Sequence, residues 1–247
     1  MTIKGDVKED TVVLAFGAHP DDVELRIGGT LHKLSQKGYK VVICDLTRGE
    51  AASRGSPEVR LKEAQEAAKV LGVHDRINLG LPDGRLVDSL EYRDRIIEVI
   101  RALKPKVVFC SYPEDLHPDH AAAGSLLRSC FYPSGVGRYP VRGEPYRPKA
   151  LLFYMCHSFV EPKLIVDTTG HFEAKKQAVA CYRSQLHRPG EKGPKTWVGK
   201  PDLFEELEAR DRYFGSLIGC VYGEAFSLPG YVPMEDPVKH FIEFGLP

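Results

Sequence analysis

The chain lacks an excess of charge of either sign, and it lacks any long apolar run. Its 247 residues include 34 Lys plus Arg and 34 Asp plus Glu, which gives a formal net charge of zero at pH 7. Without net positive charge there is no general electrostatic attraction to nucleic acid or to an anionic lipid surface. No apolar run approaches the roughly 18 residues of a membrane-spanning helix. We therefore expect a small-molecule partner, with no nucleic acid and no membrane.

Cysteine is sparse, and its spacing gives no sign of a disulfide framework or a zinc finger. The six cysteines include no C-x-x-C pair, and Cys44, Cys110 and Cys156 lie inside apolar runs, where a reduced thiol behaves as a small hydrophobe. The polar segment 1–11 contains no apolar stretch of the signal-peptide type. These observations predict a protein of the reducing cytoplasm.

Apolar runs of strand length alternate with longer segments of helical period. Strands are predicted at residues 12–17, 41–46, 77–79 and 107–110, and helices at 28–37, 57–71, 90–103 and 119–130. This alternation is typical of right-handed βαβ units, and continuous apolar strands are typical of a parallel sheet covered on both faces. We predict an α/β fold, a Rossmann-like and mostly parallel sheet flanked by helices.

The C-terminal third is less regular. Further strands are predicted at 150–156 and 164–166 and further helices at 172–182 and 203–218, with Gly- and Pro-rich connections at 131–148 and 187–200. Connections of this length are often functional, but their sequences assign them no role. Since no repeat or low-complexity linker divides the chain, we predict one domain over residues 1–247 with an elaborated C-terminal third.

Two clusters of ionisable residues directly follow predicted strands. One is Ala18-His19-Pro20-Asp21-Asp22-Val23-Glu24 and the other is His117-Pro118-Asp119-His120. Ligands of open α/β sheets bind at the carboxyl ends of the strands, where these clusters would meet if their strands are neighbours. A single His or an Asp-Asp pair is more typical of an ordinary polar or helix-capping residue, but His-Pro-Asp at two strand ends favours a metal site.

The residue types suggest a division of roles. Two imidazoles and a carboxylate with one position open to water are typical of catalytic zinc, so His19, Asp22 and His120 are the predicted ligands. Zn²⁺ is the expected ion, although such a donor set also accepts Fe²⁺ or another divalent metal. Asp21, beside a zinc-activated water, is predicted as the general base. His117 would stabilise the tetrahedral intermediate, and the Asp119 carboxylate would fix its tautomer.

Both motifs resemble the PIG-L/LmbE-like family of zinc-dependent N-acetylglucosaminyl deacetylases, whose signatures are A-H-P-D-D-x-E and H-P-D-H. The similarity extends through segments 28–30, 45–50, 60–64, 78–83 and 182–185. Segments 77–83, 153–155 and 224–226 are most similar to the deacetylase of bacillithiol biosynthesis. The resemblance implies hydrolysis of the acetamide of an N-acetylglucosaminyl conjugate, with N-acetylglucosaminyl malate as the expected substrate. It also implies a homo-oligomer, often a hexamer.

The resemblance further implies that Arg60 holds substrate. Asp83 and Tyr182 are weaker candidates, because Pro-Asp-Gly is also an ordinary turn and an aromatic residue at a helix end is more often core. A malate carboxylate would need a bidentate arginine, for which Arg138 is the candidate. Arg26 stands where many family members have glycine, and it is expected on the helix surface or at the mouth of the site.

Three alternatives remain at the level of sequence. The enzyme could deacetylate another N-acetylglucosamine conjugate. It could hydrolyse a phosphoester, although no P-loop or second ligand set is evident. It could also be a nucleotide-binding domain without chemistry, but His19-Pro20-Asp21 stands where glycines would admit a pyrophosphate.

Overall fold

A computed structural model describes residues 12–187, 190, 194–236, 238 and 242. Within these residues, seven strands form one sheet in the order β3-β2-β1-β4-β5-β7-β6. The strands are β1 Val12–Gly17, β2 Lys40–Thr47, β3 Asp75–Leu81, β4 Val107–Ser111, β5 Ala150–Tyr154, β6 Leu164–Asp167 and β7 Gly223–Ser227. The first five pair in parallel, and β7 is antiparallel to β5 and β6. The predicted α/β fold with a mostly parallel sheet is confirmed.

Six α-helices connect these strands in the described residues. They are α1 Asp22–Gln36, α2 Pro57–Val70, α3 Leu90–Leu103, α4 Pro118–Phe131, α5 Phe172–Ala180 and α6 Leu203–Ser216. Serine side chains cap two of their starts: Ser56 accepts from the backbone N–H of Val59, and Ser89 accepts from that of Tyr92. None of the described helices has the length and apolar composition that a membrane span requires.

Helices cover both faces of the sheet, and β1 shows how. Val13 and Ala15 pack in one apolar cluster with Ile27 of α1, while Leu14 and Phe16 pack in another, which holds apolar residues of α3 and α4. Successive side chains of a strand point to opposite faces, so an uninterrupted apolar run serves both layers. This explains why the strands of the sheet read as continuous hydrophobic segments.

The strand order reverses beside β1, which pairs with β2 on one side and with β4 on the other. The chain therefore passes from β3 over the sheet before it enters β4. Crevices form at such reversal points, outside the carboxyl ends of the strands. The two His-Pro-Asp clusters follow β1 and β4 and so meet at this crevice.

Helix α1 begins six residues before the predicted start at residue 28, and it is broken at Ile27, whose φ is −135°. The break leaves two backbone N–H groups inside the helix without the usual intrahelical acceptor. Gly29 and Thr30 donate them instead to the two carboxylate oxygens of Glu224, at 2.9 and 2.7 Å. Glu224 lies on β7, a strand that the sequence did not predict.

The connection at 131–148 is organised around one buried side chain. The Arg101 guanidinium donates hydrogen bonds to backbone carbonyls of Ser134, Val136, Val141 and Gly143. Since α4 starts at Pro118 and ends at Phe131, this loop lies beyond the end of α4 opposite to its cluster. The described contacts give it a structural role.

Candidate metal centre and active site

A tight turn after β1 places the first cluster. A Cβ on Gly17 would lie 2.9 Å from the carbonyl oxygen of His19, so only glycine fits there. Asp21 has φ 118°, a conformation that few non-glycine residues adopt, and such strain is concentrated at functional sites. Asp22 then starts α1. This turn separates the two adjacent carboxylates, because Asp21 contacts α2 while Asp22 contacts α4, as the distances below show.

The structure brings His19, Asp22 and His120 together. One potential ligand atom from each lies within 4.8 Å of the others. Asp22 Oδ1 is 3.0 Å from His120 Nε2, and Asp22 Oδ2 is 3.5 Å from His19 Nδ1. The three side chains are largely buried, with exposed fractions of 12% or less. A buried cluster of two imidazoles and a carboxylate has the donor chemistry of a divalent metal site.

Carboxylates also hold the outer nitrogen of each imidazole. His120 Nδ1 lies 3.2 Å from Asp115 Oδ1, and His19 Nε2 lies 3.0 Å from Asp83 Oδ1 and 3.3 Å from Asp119 Oδ2. Metal-binding histidines usually have such a partner, which fixes the tautomer and the ring orientation. The residues present therefore fit a divalent ion.

Asp115 is a residue of this site that the sequence reasoning missed. Its Oδ1 accepts a hydrogen bond from the backbone N–H of His117 at 3.0 Å, and its Oδ2 accepts from those of His157 at 2.8 Å and Ser158 at 3.2 Å. The available signal was a carboxylate between the end of β4 and the second cluster. One side chain thus ties the loop after β5 to the histidine at the start of α4.

Asp21 and Arg60 form a buried pair. Arg60 Nη2 donates to Asp21 Oδ2 at 2.5 Å and to the carbonyl of Pro20 at 2.9 Å. Burial raises the pKa of Asp21 to about 6, against the lowering effect of the Arg60 charge. A carboxyl group that titrates near neutral pH is suited to proton transfer. Arg60 also lines the cavity described below.

The expected contact between the Asp119 carboxylate and His117 is wrong. The Asp119 carboxylate accepts from the backbone N–H groups of Gly84 at 2.7 Å and Leu86 at 3.1 Å, and it contacts His19. The backbone N–H of Asp119 instead donates to His117 Nδ1 at 3.2 Å, which caps α4. With Nδ1 acting as acceptor, a neutral His117 carries its proton on Nε2. Burial and the neighbouring His120 and His19 lower the pKa of His117.

A cavity of about 400 Å³ opens over the cluster. Seven of the predicted residues line it, namely His19, Asp21, Asp22, Arg60, Asp83, His117 and His120. Arg26, expected on the helix surface or at the mouth of the site, also lines it, together with residues outside the predicted set, among them His157, Gln185 and the segment 196–198 of the second long connection. The His157 ring stacks on that of His120, with centroids 5.3 Å apart, and meets the Trp197 ring edge-on at 5.3 Å.

Two predicted substrate residues do not line this cavity. Tyr182 is fully buried, packs against Ala64, and donates its hydroxyl to Glu24 Oε1 at 3.0 Å, so it is a core residue. Arg138 is exposed and follows α4 at the end opposite to His120. Arg138 lies away from the cavity because α4 leads the chain away from the carboxyl edge of the sheet.

Comparison with known proteins gives a consistent result. A family model described as PIG-L, GlcNAc-PI de-N-acetylase, matches residues 14–131. Diacetylchitobiose deacetylase of Thermococcus kodakarensis is 30% identical over 96% of this chain and 89% of its own length. The Bacillus cereus protein named probable N-acetyl-alpha-D-glucosaminyl L-malate deacetylase 2 is 28% identical over 70% of this chain and 83% of its own. The crystal structure of the conserved protein TT1542 from Thermus thermophilus is 39% identical, covers 91% of this chain and 98% of its own, and has a TM-score of 0.81.

Proposed function

The chain belongs to the PIG-L family of deacetylases, which act on N-acetylglucosamine-type substrates, and we propose that it is a zinc-dependent hydrolase that removes acetyl from N-acetylglucosaminyl malate. The observation that carries the proposal is the buried His19–Asp22–His120 donor set beside the buried Asp21 carboxyl group. Malate as the aglycone is supported by the named activity of the Bacillus cereus relative.

The residues have distinct tasks in the proposed reaction. A bound Zn²⁺ would polarise the acetyl carbonyl and favour ionisation of water. Asp21 removes a proton from the attacking water, and His117 donates a hydrogen bond from Nε2 to the oxygen on which negative charge develops. The amide C–N bond then breaks, and the proton held by Asp21 passes to the leaving amine. The products are acetate and a glucosaminyl amine.

Other residues position the reacting groups. Asp115, Asp119 and Asp83 hold the two imidazoles of the metal ligands. Arg60 fixes the Asp21 carboxylate through its Nη2 atom and, from the same wall, faces the cavity in which the sugar would lie. A homo-oligomeric state, a single-domain organisation and a cytoplasmic location remain predictions from the sequence.

An amine-release assay with parallel metal analysis tests the proposal. Purified protein is offered N-acetylglucosaminyl malate, diacetylchitobiose and the methyl glycoside of N-acetylglucosamine. We expect bound zinc and amine release, fastest from the malate conjugate. Absence of amine release from all three by metal-loaded protein would contradict the enzyme assignment. Faster release from diacetylchitobiose would keep the deacetylase and replace malate by another aglycone.

A further inference from the structure

Arg26 is a buried cation with no anionic partner among the described residues. Its exposed fraction is 6%, and it lines the cavity above the metal centre. In the part of the chain that the structure describes, its guanidinium forms no ion pair and no hydrogen bond, and its nitrogen atoms are not fully closed off from the cavity. This differs from the two other buried arginines near the site, because Arg60 is paired with Asp21 and Arg76 with Asp45. Burial of an unpaired charge is unfavourable unless a ligand supplies the partner.

The surroundings of Arg26 hold it in place without neutralising it. Its guanidinium carbon lies 4.3 Å from the centroid of the Trp197 ring, and Lys200 Nζ lies 4.7 Å from the same ring. A cation over an indole face is attracted by the ring quadrupole, which orients the charge but leaves it uncompensated. Trp197 is the single tryptophan of the chain. It belongs to the connection 187–200, to which sequence reasoning assigned no role.

A second arginine, Arg210, lies close enough to Arg26 for the two charges to interact. The Arg210 guanidinium donates to the backbone carbonyls of Met155 at 2.6 Å and Cys156 at 3.3 Å. Burial and the charge of Arg26 lower the pKa of Arg210 to about 10. Arg210 does not line the cavity, but its charge acts on that of Arg26 and adds to the positive potential there.

The acetamide of the proposed reaction is neutral, so it cannot form an ion pair with Arg26. We propose that Arg26, held against Trp197, binds an oxyanion on the group attached to the sugar and makes the enzyme select acidic N-acetylglucosaminyl conjugates over neutral ones. The guanidinium fork matches a carboxylate or a phosphate through two parallel hydrogen bonds. The inference rests on the proposed function and assigns the specificity role expected of Arg138 to a different residue.

The first test uses the unaltered protein. The ratio kcat/KM is measured for N-acetylglucosaminyl malate, for N-acetylglucosamine 1-phosphate, and for two neutral probes, the dimethyl ester of the malate conjugate and the methyl glycoside. We expect kcat/KM for at least one acidic probe to exceed that for both neutral probes about tenfold or more. The acidic probe with the higher kcat/KM identifies the oxyanion as carboxylate or phosphate. Equal values for acidic and neutral probes would overturn the inference while leaving the deacetylase intact. Absence of amine release from every probe would instead refute the proposed function.

The second test uses variants. Arg26→Gln is expected to raise KM for the preferred acidic probe about 10- to 100-fold, as loss of a charge-assisted pair does, and to lower kcat/KM for that probe by a much larger factor than kcat/KM for the methyl glycoside. Arg26→Lys retains the charge without the guanidinium fork, so its KM for the acidic probe should fall between that of the unaltered protein and that of Arg26→Gln. Arg138→Gln, an exposed arginine outside the cavity, is the matched control and should change neither value. Equal losses of kcat/KM on acidic and neutral probes, or no loss, would overturn the inference. If a variant does not fold, the comparison of probes with the unaltered protein decides.

Discussion

Asp115 shows how much one carboxylate can organise at this site. It accepts a hydrogen bond from the ring of His120 and from three backbone N–H groups on both sides of the crevice. Its pKa is lowered because these donors favour the ionised form, although burial opposes them. The residue therefore couples the orientation of a metal ligand to the position of the loop that carries His157.

Replacement of Asp115 should weaken metal binding without removing a ligand. In Asp115→Asn the amide offers one acceptor oxygen where the carboxylate offers two, so the His120 ring loses part of its support. We expect zinc affinity to fall about 10- to 100-fold, as for other residues that orient a ligand, with activity restored by excess zinc. Chelator competition measures the affinity. Asp88→Asn, which alters an exposed carboxylate paired with Arg93, is the control, and equal affinities of the two variants would contradict the role.

Asp21 can be tested with a substitution that its backbone tolerates. Asparagine adopts positive φ more readily than most residues, so Asp21→Asn should keep the turn at φ 118°. We expect kcat to fall about 10²- to 10⁴-fold, since general base catalysis is lost, while zinc content stays at the wild-type value. Asp22→Asn should lose zinc as well as activity. Full activity of zinc-loaded Asp21→Asn would show that another group takes the proton.

At the scale of elements, a buried charge cluster joins the C-terminal third to α1. Lys175 Nζ on α5 lies 2.7 Å from Asp211 Oδ2 on α6 and 2.9 Å from Glu224 Oε1 on β7. Glu224 in turn accepts the two N–H groups freed by the break at Ile27. The break in α1 is therefore bridged by contacts that come from α5, α6 and β7.

Removal of Lys175 should destabilise the fold more than any nearby surface change. In Lys175→Met the apolar stem is retained, but two buried carboxylates lose their cation, a change that costs about 3–5 kcal/mol. Lys176→Met, on the less buried side of the same helix, should change the free energy of unfolding by less than about 0.5 kcal/mol. Urea unfolding followed by circular dichroism measures both. A similar value for the two variants would mean that the cluster contributes little.

The elements that the sequence predicted are those whose signal is local. Neighbouring residues are enough to recognise the apolar runs of β1 and β4 and the residues that begin or end α2 and α3. The two strand-end clusters followed from these elements. The start of α1 was missed because Asp22 and Glu24 resemble a polar loop, and their partners lie on other elements. β7 was missed because its second residue is Glu224, a charge whose buried partners are distant in sequence.

The same distinction applies to the site. His19, Asp22 and His120 could be proposed from residue type and motif, and the structure does bring them together. Arg26 follows the first motif, and the mouth of the site was one of its two expected places, whereas His157 and Trp197 belong to no motif and reach the cavity only through the packing of separate segments. Tyr182 and Arg138 have suitable chemistry for the site but lie elsewhere, because one packs under α2 and the other follows the far end of α4.

For the molecule as a whole, metal binding should be linked to stability. The predicted ligands come from the turn after β1, from the start of α1 and from α4, so an ion held by them binds only the folded chain. Free zinc at 100 times its dissociation constant should raise the free energy of unfolding by about 2.7 kcal/mol. Thermal unfolding with and without zinc measures the effect. Asp22→Ala should abolish it, and an equal zinc effect in that variant would place the binding elsewhere.

The contact between the break in α1 and Glu224 also bears on how the protein is made. The partners are 195 residues apart, which corresponds to roughly 10–40 s of translation at typical elongation rates. Throughout that interval the second half of α1 has been synthesised while its acceptor has not. We expect nascent chains stalled before residue 223 to be cleaved near the break by a protease that spares chains stalled in a C-terminal extension. The N-terminal half, although it carries both signature motifs, would then lack these contacts until β7 is added.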